Sequence, residues 1–209
     1  MAAKLWDQIE ERRCTWNVLE HPFYQRWSAG ELTREELSDY AGQYRHAVTA
    51  LADMTAAAAA KSDGAANGLD AHAAEERAHI RLWDFFVAEF DGDVDAAPNP
   101  ETAECVADWT APADLATLLA RMYAVESGQP EIARVKREGL AEFYGMDDRS
   151  QAEYFVVHEH LDVEHAAHAR DLIDRTASPE QADELVDAAE AVFRANWTLL
   201  DGVGTTKAA

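Results

Sequence analysis

Residues 158–168 read HEHLDVEHAAH, which places four of the chain's eight histidines and three acids in eleven residues. On a helix of 100° per residue, His158, Asp162 and His165 are spaced i, i+4, i+7 and fall within about 60° of one another. Tyr154 lies one turn earlier on the same face. His160 points away, and Glu159, Glu164 and His168 lie off the stripe. The stretch therefore resolves into a Tyr-His-Asp-His stripe and a more solvated remainder. Imidazole and carboxylate on one face are the ligand types that iron or manganese take. A charge-rich solvated helix is the competing reading of this segment alone.

Further ligand types occur on two other segments. Glu75 and Glu76 precede His79 by four and three residues, so either can share its face, and Glu76-x-x-His79 has the carboxylate–imidazole spacing that helical bundles use for di-metal sites. Glu126 follows the apolar run Leu115, Leu118, Leu119, Met122 and Tyr123, which places it at the edge of a core. Three carboxylates and three imidazoles from three helices suit two divalent iron or manganese ions with positions left open for oxygen. No thiolate belongs to the set, which disfavours a structural zinc site.

The elements that must carry these residues are all helical. Thr33 with Glu36 forms a capping box that opens a helix of about thirty residues. A second long helix covers LDAHAAEERAHIRLWDFFVAEF and stops at DGDVDAAPNP, the clearest loop. Shorter helices follow over ETAECVADW and APADLATLLARMYAVES, and Pro130 breaks or kinks the chain before EIARVKREGLAEFYG. Asp148 or Ser150 starts the helix of the histidine stripe, which ends before Ser178-Pro179. The last helix follows, and residues 204–209 read as a disordered tail. No segment keeps a period of two. The fold class is all-α, a single bundle of seven or eight helices over 1–203.

Composition excludes several functions. The chain has 209 residues and a net charge of -22, from 40 acids against 18 bases. Such a charge repels phosphate backbones and argues against a nucleic-acid partner. No apolar run reaches membrane-spanning length. Cys14 and Cys105 form no framework, which fits a reduced cytoplasmic location, and both read as small buried hydrophobes. The acidic, lysine-poor surface suggests work in concentrated salt.

Four stretches carry a resemblance to a known family. HPFYQRWSAGELTREELSDYAGQY (21–44), EERAHIRLWDFF (75–86), MYAVESGQPEIARVKREGLAEFYG (122–145) and YFVVHEHLDVEHA (154–166) resemble, in order and spacing, the haem-oxygenase-like di-metal oxidases. Within these the chain is most similar to the family of the Chlamydia protein associating with death domains. The resemblance implies a seven-helix haem-oxygenase-like (TenA-like) bundle that binds no haem. It implies two iron ions, or iron with manganese, used with O2 and an external reductant. It implies ligands at His79, Glu126, His158, Asp162 and His165, with the first carboxylate at Glu75 or Glu76. Relatives of this kind are associated with making p-aminobenzoate for folate by oxidatively cutting one of their own tyrosines, with a lysine as amino donor. The matching residues are Tyr24, Tyr40, Lys136 and Tyr154. An amine donor must be Lys, since a guanidinium is not deprotonated in a protein. The fold also implies a homodimer. The competing functions are the same di-metal site acting on a diffusible fatty acid or amino acid, and a metal-free relative or protein-interaction module. The salvage hydrolases of this fold use a cysteine in the last third of the chain, where neither Cys14 nor Cys105 lies.

Overall fold

The capping box forms as its residues require. Thr33 accepts the Glu36 backbone N–H, and the Glu36 carboxylate accepts that of Thr33 at 2.8 Å. The helix it opens, α3, runs Arg34–Lys61. It is one of nine α-helices and two short 3-10 turns found in the computed structural model of the protein, which describes residues 2–62, 68–146 and 152–203. The others are α1 (Ala2–Thr15), α2 (Pro22–Ser28), α4 (Leu69–Glu89), α5 (Pro100–Thr110), α6 (Leu115–Glu126), α7 (Gln129–Phe143), α8 (Glu153–Thr176) and α9 (Ala182–Asp201). No strand occurs among the described residues.

Pro130 marks a break between two helices, one of the two outcomes its position allows. Pro130 sits in the first turn of α7, where its missing N–H costs nothing. Glu126 ends α6, so α6 and α7 are separate helices rather than one kinked helix. Asp148, Ser150 and the 204–209 tail lie outside the described residues.

Three packing relations position the site. α3 lies along α4, α8 seats against both α6 and α7, and α9 closes the other side against α1, α5 and α6. Trp27, Trp83, Trp109, Phe86 and Phe155 are fully buried between them. α2 approaches α7 at Gly139, where a Cβ would stand 2.7 Å from the Trp27 ring. That approach lets Trp27 Nε1 donate to the Lys136 carbonyl at 3.2 Å. Cys105 is buried, but Cys14 is exposed, against the expectation for it. No helix among the described residues is long and apolar enough to cross a membrane.

Candidate metal centre and the aromatic box beside it

α4, α6 and α8 bring seven ionisable side chains into one buried cluster. His72, Glu76 and His79 come from α4, Glu126 from the last residue of α6, and His158, Asp162 and His165 from α8. All seven are buried, with Glu76 and Glu126 wholly inaccessible. Six of them are residues singled out by spacing, and His72 is an addition. Its signal was readable: His72, Glu76 and His79 repeat the i, i+4, i+7 pattern of His158, Asp162 and His165. Two helices thus present the same acid-between-histidines stripe to each other.

Glu76 stands at the centre. One oxygen lies 3.2 Å from His79 Nδ1 and 3.8 Å from both His72 Nε2 and His165 Nδ1. The other lies 4.0 Å from His158 Nε2. Two groups, His72–Glu76–His165 and Glu76–His79–His158, each place three ligand atoms within 4.8 Å of one another, and they share Glu76. Glu126 comes within 2.9 Å of His72 Nε2, and Asp162 within 3.5 Å of His165 Nδ1. Glu75 points elsewhere. Its side chain is 49% exposed, and it holds the outer Nε2 of His165 at 3.0 Å, leaving Nδ1 turned inward. His158 is oriented in the same way, with Nδ1 2.6 Å from the Tyr154 carbonyl and Nε2 facing the cluster.

Buried polar atoms are normally hydrogen-bonded. Here Glu76 Oε2, the second oxygen of Glu126, both oxygens of Asp162, His158 Nε2 and His165 Nδ1 are buried without a well-formed hydrogen bond, and His72 Nε2 and the other Glu126 oxygen face only each other, at 2.9 Å. Orphaned oxygens and imidazole nitrogens converging on one volume are what a pair of divalent cations would satisfy, so the donor set fits them.

The protonation pattern reflects this crowding. Burial alone would raise the Glu76 carboxyl, but the facing imidazoles of His158 and His79 override it and hold it well below the usual carboxylate range. Glu126 is held well above that range by burial and then by Asp162 and Glu76. Its place at the carbonyl end of α6 is also unfavourable for negative charge. Burial, with His165 facing it, pushes His72 down to about 4. Burial opposes charge on His165 too, but Asp162, Glu126 and Glu75 carry it up to about 9.

A second buried group adjoins the first. The Lys136 ammonium, 1% exposed, sits among five aromatic rings: Tyr44 at 4.6 Å from the ring centre, Tyr40 and Phe155 at 5.3 Å, Tyr24 at 5.5 Å and Trp83 at 5.7 Å. Burial pushes Lys136 down to about 7 and lifts the phenols of Tyr24, Tyr40 and Tyr154 well above their ordinary value. The Tyr24 and Tyr40 hydroxyls meet at 3.4 Å. Tyr154 joins the two regions. Its ring stacks on His158 at 3.9 Å and meets Trp83 edge-on at 4.7 Å, and Trp83 meets Tyr44 at 5.1 Å and Tyr40 at 6.0 Å. Tyr44 and Trp83 carry no signal in the sequence, because aromatic residues at helical period are indistinguishable from ordinary core.

Residues 35–197 match the family described as iron-containing redox enzymes. The chain belongs to that family. It is 33% identical to a 4-aminobenzoate synthase of Nitrosomonas europaea over 90% of its own length and 85% of the relative's. It is likewise 33% identical to a 4-aminobenzoate synthase of Chlamydia trachomatis, over 88% and 85%. Among solved structures, a TenA homologue from Pseudomonas syringae superimposes with a TM-score of 0.80 at 18% identity, covering 95% of this chain and 90% of that one. A CADD-like protein of unknown function from Nostoc punctiforme does so with 0.78 at 19%, covering 100% and 99%. The fold is therefore the helical haem-oxygenase-like bundle.

Proposed function

We propose that this family member is a non-haem di-metal oxygenase that makes p-aminobenzoate from one of its own tyrosines, with Lys136 supplying the nitrogen. The observation that carries the reading is Lys136, buried in a box that includes Tyr24 and Tyr40 and joined through Trp83 and Tyr154 to the orphaned cluster. The relatives named 4-aminobenzoate synthase support it.

His72, Glu76, His79, Glu126, His158, Asp162 and His165 would hold two iron ions, or iron with manganese, and Glu76 belongs to both three-residue groups. When bound, those ions supply activation of O2 with electrons from an external reductant, and so the oxidising power for an aromatic ring. The chain's own residues set up the rest. Burial keeps a large share of Lys136 unprotonated near neutrality, and only a neutral amine has the lone pair needed to form a bond to carbon. The same burial keeps the phenols protonated. The Tyr24–Tyr40 contact gives either phenol a neighbour for its proton. The rings exclude water, which protects a reactive aromatic intermediate from side reactions.

The test uses purified protein given Fe(II) anaerobically, then O2 and a reductant, with no substrate added. Released p-aminobenzoate and a matching loss in intact protein mass are expected. Lysine-specific 15N labelling should transfer the label to the product. If no p-aminobenzoate forms, or if Tyr24→Phe, Tyr40→Phe and Lys136→Arg all leave its yield unchanged, the reading is wrong. Oxidation of an added diffusible substrate at constant protein mass would favour an ordinary turnover enzyme instead.

A further inference from the structure

The cluster is sealed on most sides. Exposure rises from zero at Glu76 and Glu126 to 9% at His165, the most accessible of the seven. His165 and His72 together line the floor of an open cleft of about 360 Å³ between α4 and α8. Ala71 and Glu75 form one wall of that cleft, and Glu164 and His168 the other. Two floor residues thus belong to two environments. Their inward nitrogens, His72 Nε2 and His165 Nδ1, face Glu126 and Asp162 in the cluster, while both residues also line the cleft.

We propose that this cleft is the route by which divalent cations enter the cluster, with Glu75 and Glu164 as transfer carboxylates. The proposal rests on the metal-binding reading of the cluster. Glu75 is suited to the step because it is half exposed yet 3.0 Å from His165 Nε2. A cation held at the Glu75 carboxylate is one imidazole away from the inner ligands. Glu164, one residue before His165 on α8, adds a second carboxylate at the mouth. Carboxylates lining a cleft concentrate cations and raise their rate of capture. Neither residue is needed inside the cluster, so entry and retention are carried by different groups. The two adjacent glutamates of α4 therefore divide the work: Glu76 faces in and holds, and Glu75 faces out and delivers.

The experiment measures uptake rather than activity. Protein stripped of metal is mixed anaerobically with Co(II), and the visible absorption of the bound ion is followed by stopped flow, with final stoichiometry read by elemental analysis. Glu75→Gln with Glu164→Gln removes the charge but leaves an amide oxygen to accept from His165. It should slow uptake by about tenfold or more at low Co(II), with unchanged final stoichiometry. Ala71→Trp, which fills the cleft without altering charge, should slow it as well. A charge-matched control in the separate acidic cleft beside α3, Glu35→Gln with Asp93→Asn, should change the rate less than about twofold. Uptake by the Glu75/Glu164 variant at the wild-type rate, or equal slowing by the control, would overturn the route. Failure of the wild-type protein itself to take up Co(II) would instead overturn the metal reading on which the route depends.

Discussion

The histidine–carboxylate cluster and the lysine box are both buried, both made by helices packed side by side, and opposite in electrostatic design. The cluster gathers three carboxylates and four imidazoles and leaves six buried polar atoms without a well-formed hydrogen bond. The box encloses one amine in five rings and offers it no carboxylate within salt-bridge distance among the described residues. A region with surplus buried carboxylates carries desolvation and repulsion costs that cations would offset. A region of apolar walls is stable only when its amine sheds charge. Tyr154, stacked on His158 and edge-on to Trp83, is the join. The contrast says which changes each side can tolerate.

The largest effect is expected inside the cluster. His158→Gln or Asp162→Asn removes a ligand from a crowded site whose partners cannot rearrange within packed helices. Elemental analysis after anaerobic Fe(II) loading should fall from about two equivalents to nearly none. Retention of both ions by Asp162→Asn would mean that the carboxylate serves packing instead.

The box should respond to charge rather than to size. Lys136→Arg forces a permanent cation into the rings and should destabilise by about 3–5 kcal/mol in denaturant titrations, whereas Lys136→Met should fold as well as the native chain or better. Both should abolish p-aminobenzoate release. The pH dependence follows from the depressed value. Between about 7 in the folded protein and the ordinary lysine value near 10.4, the unfolded chain binds the extra proton. Folding stability contributed by Lys136 therefore rises with pH across that window, by about 1.4 kcal/mol per unit, and its penalty is full below 7. Subtracting the Lys136→Met profile from that of the native protein should isolate this slope.

Much of this was open to sequence reading, unevenly. The α8 stripe could be phased because three chemically distinctive residues repeat at helical intervals. The same rule, applied to α4, selects His72, Glu76 and His79 as a matching stripe, so the position of His72 is legible in the sequence. Glu75 and Glu76 are adjacent, and only packing against α8 reveals that one turns inward and the other holds His165 from outside. Lys136 stood out by its rarity, but its burial depends on α2 meeting α7 at Gly139, a contact between residues more than a hundred positions apart. Tyr44, the ring nearest the amine, is held by Gln129 Nε2 at 3.0 Å, a partner no local pattern announces.

Glu126 sharpens the comparison by an inversion of sign. Without metal its carboxyl is buried near Asp162 and Glu76 and is held well above its usual range, so above the ordinary carboxylate pKa it opposes folding. Glu126→Gln should stabilise the metal-free protein by about 1–3 kcal/mol at neutral pH. The same change should weaken metal binding and lower the melting temperature of the loaded protein. Thermal melts of both forms, with and without metal, give the test. Destabilisation of the metal-free form would show that Glu126 is satisfied in the absence of cations.

The smallest effect is expected from the other histidines of the opening stretch. His160 is exposed on α8, on a face turned from the cluster. His168 is half-buried, lines the entry cleft and lies close to Gly68. His160→Gln and His168→Gln should each leave metal stoichiometry unchanged and stability within about 0.5 kcal/mol. The comparison is informative because all four histidines share one helix and eleven residues. If His160→Gln cost an equivalent of metal, helical phase would not be what separates ligands from bystanders. If neither change matters while His158→Gln empties the site, phase alone divides residues of identical chemistry. The stopped-flow Co(II) uptake rate of His168→Gln, read beside a constant elemental analysis, then tests whether this cleft-lining residue affects how fast ions arrive.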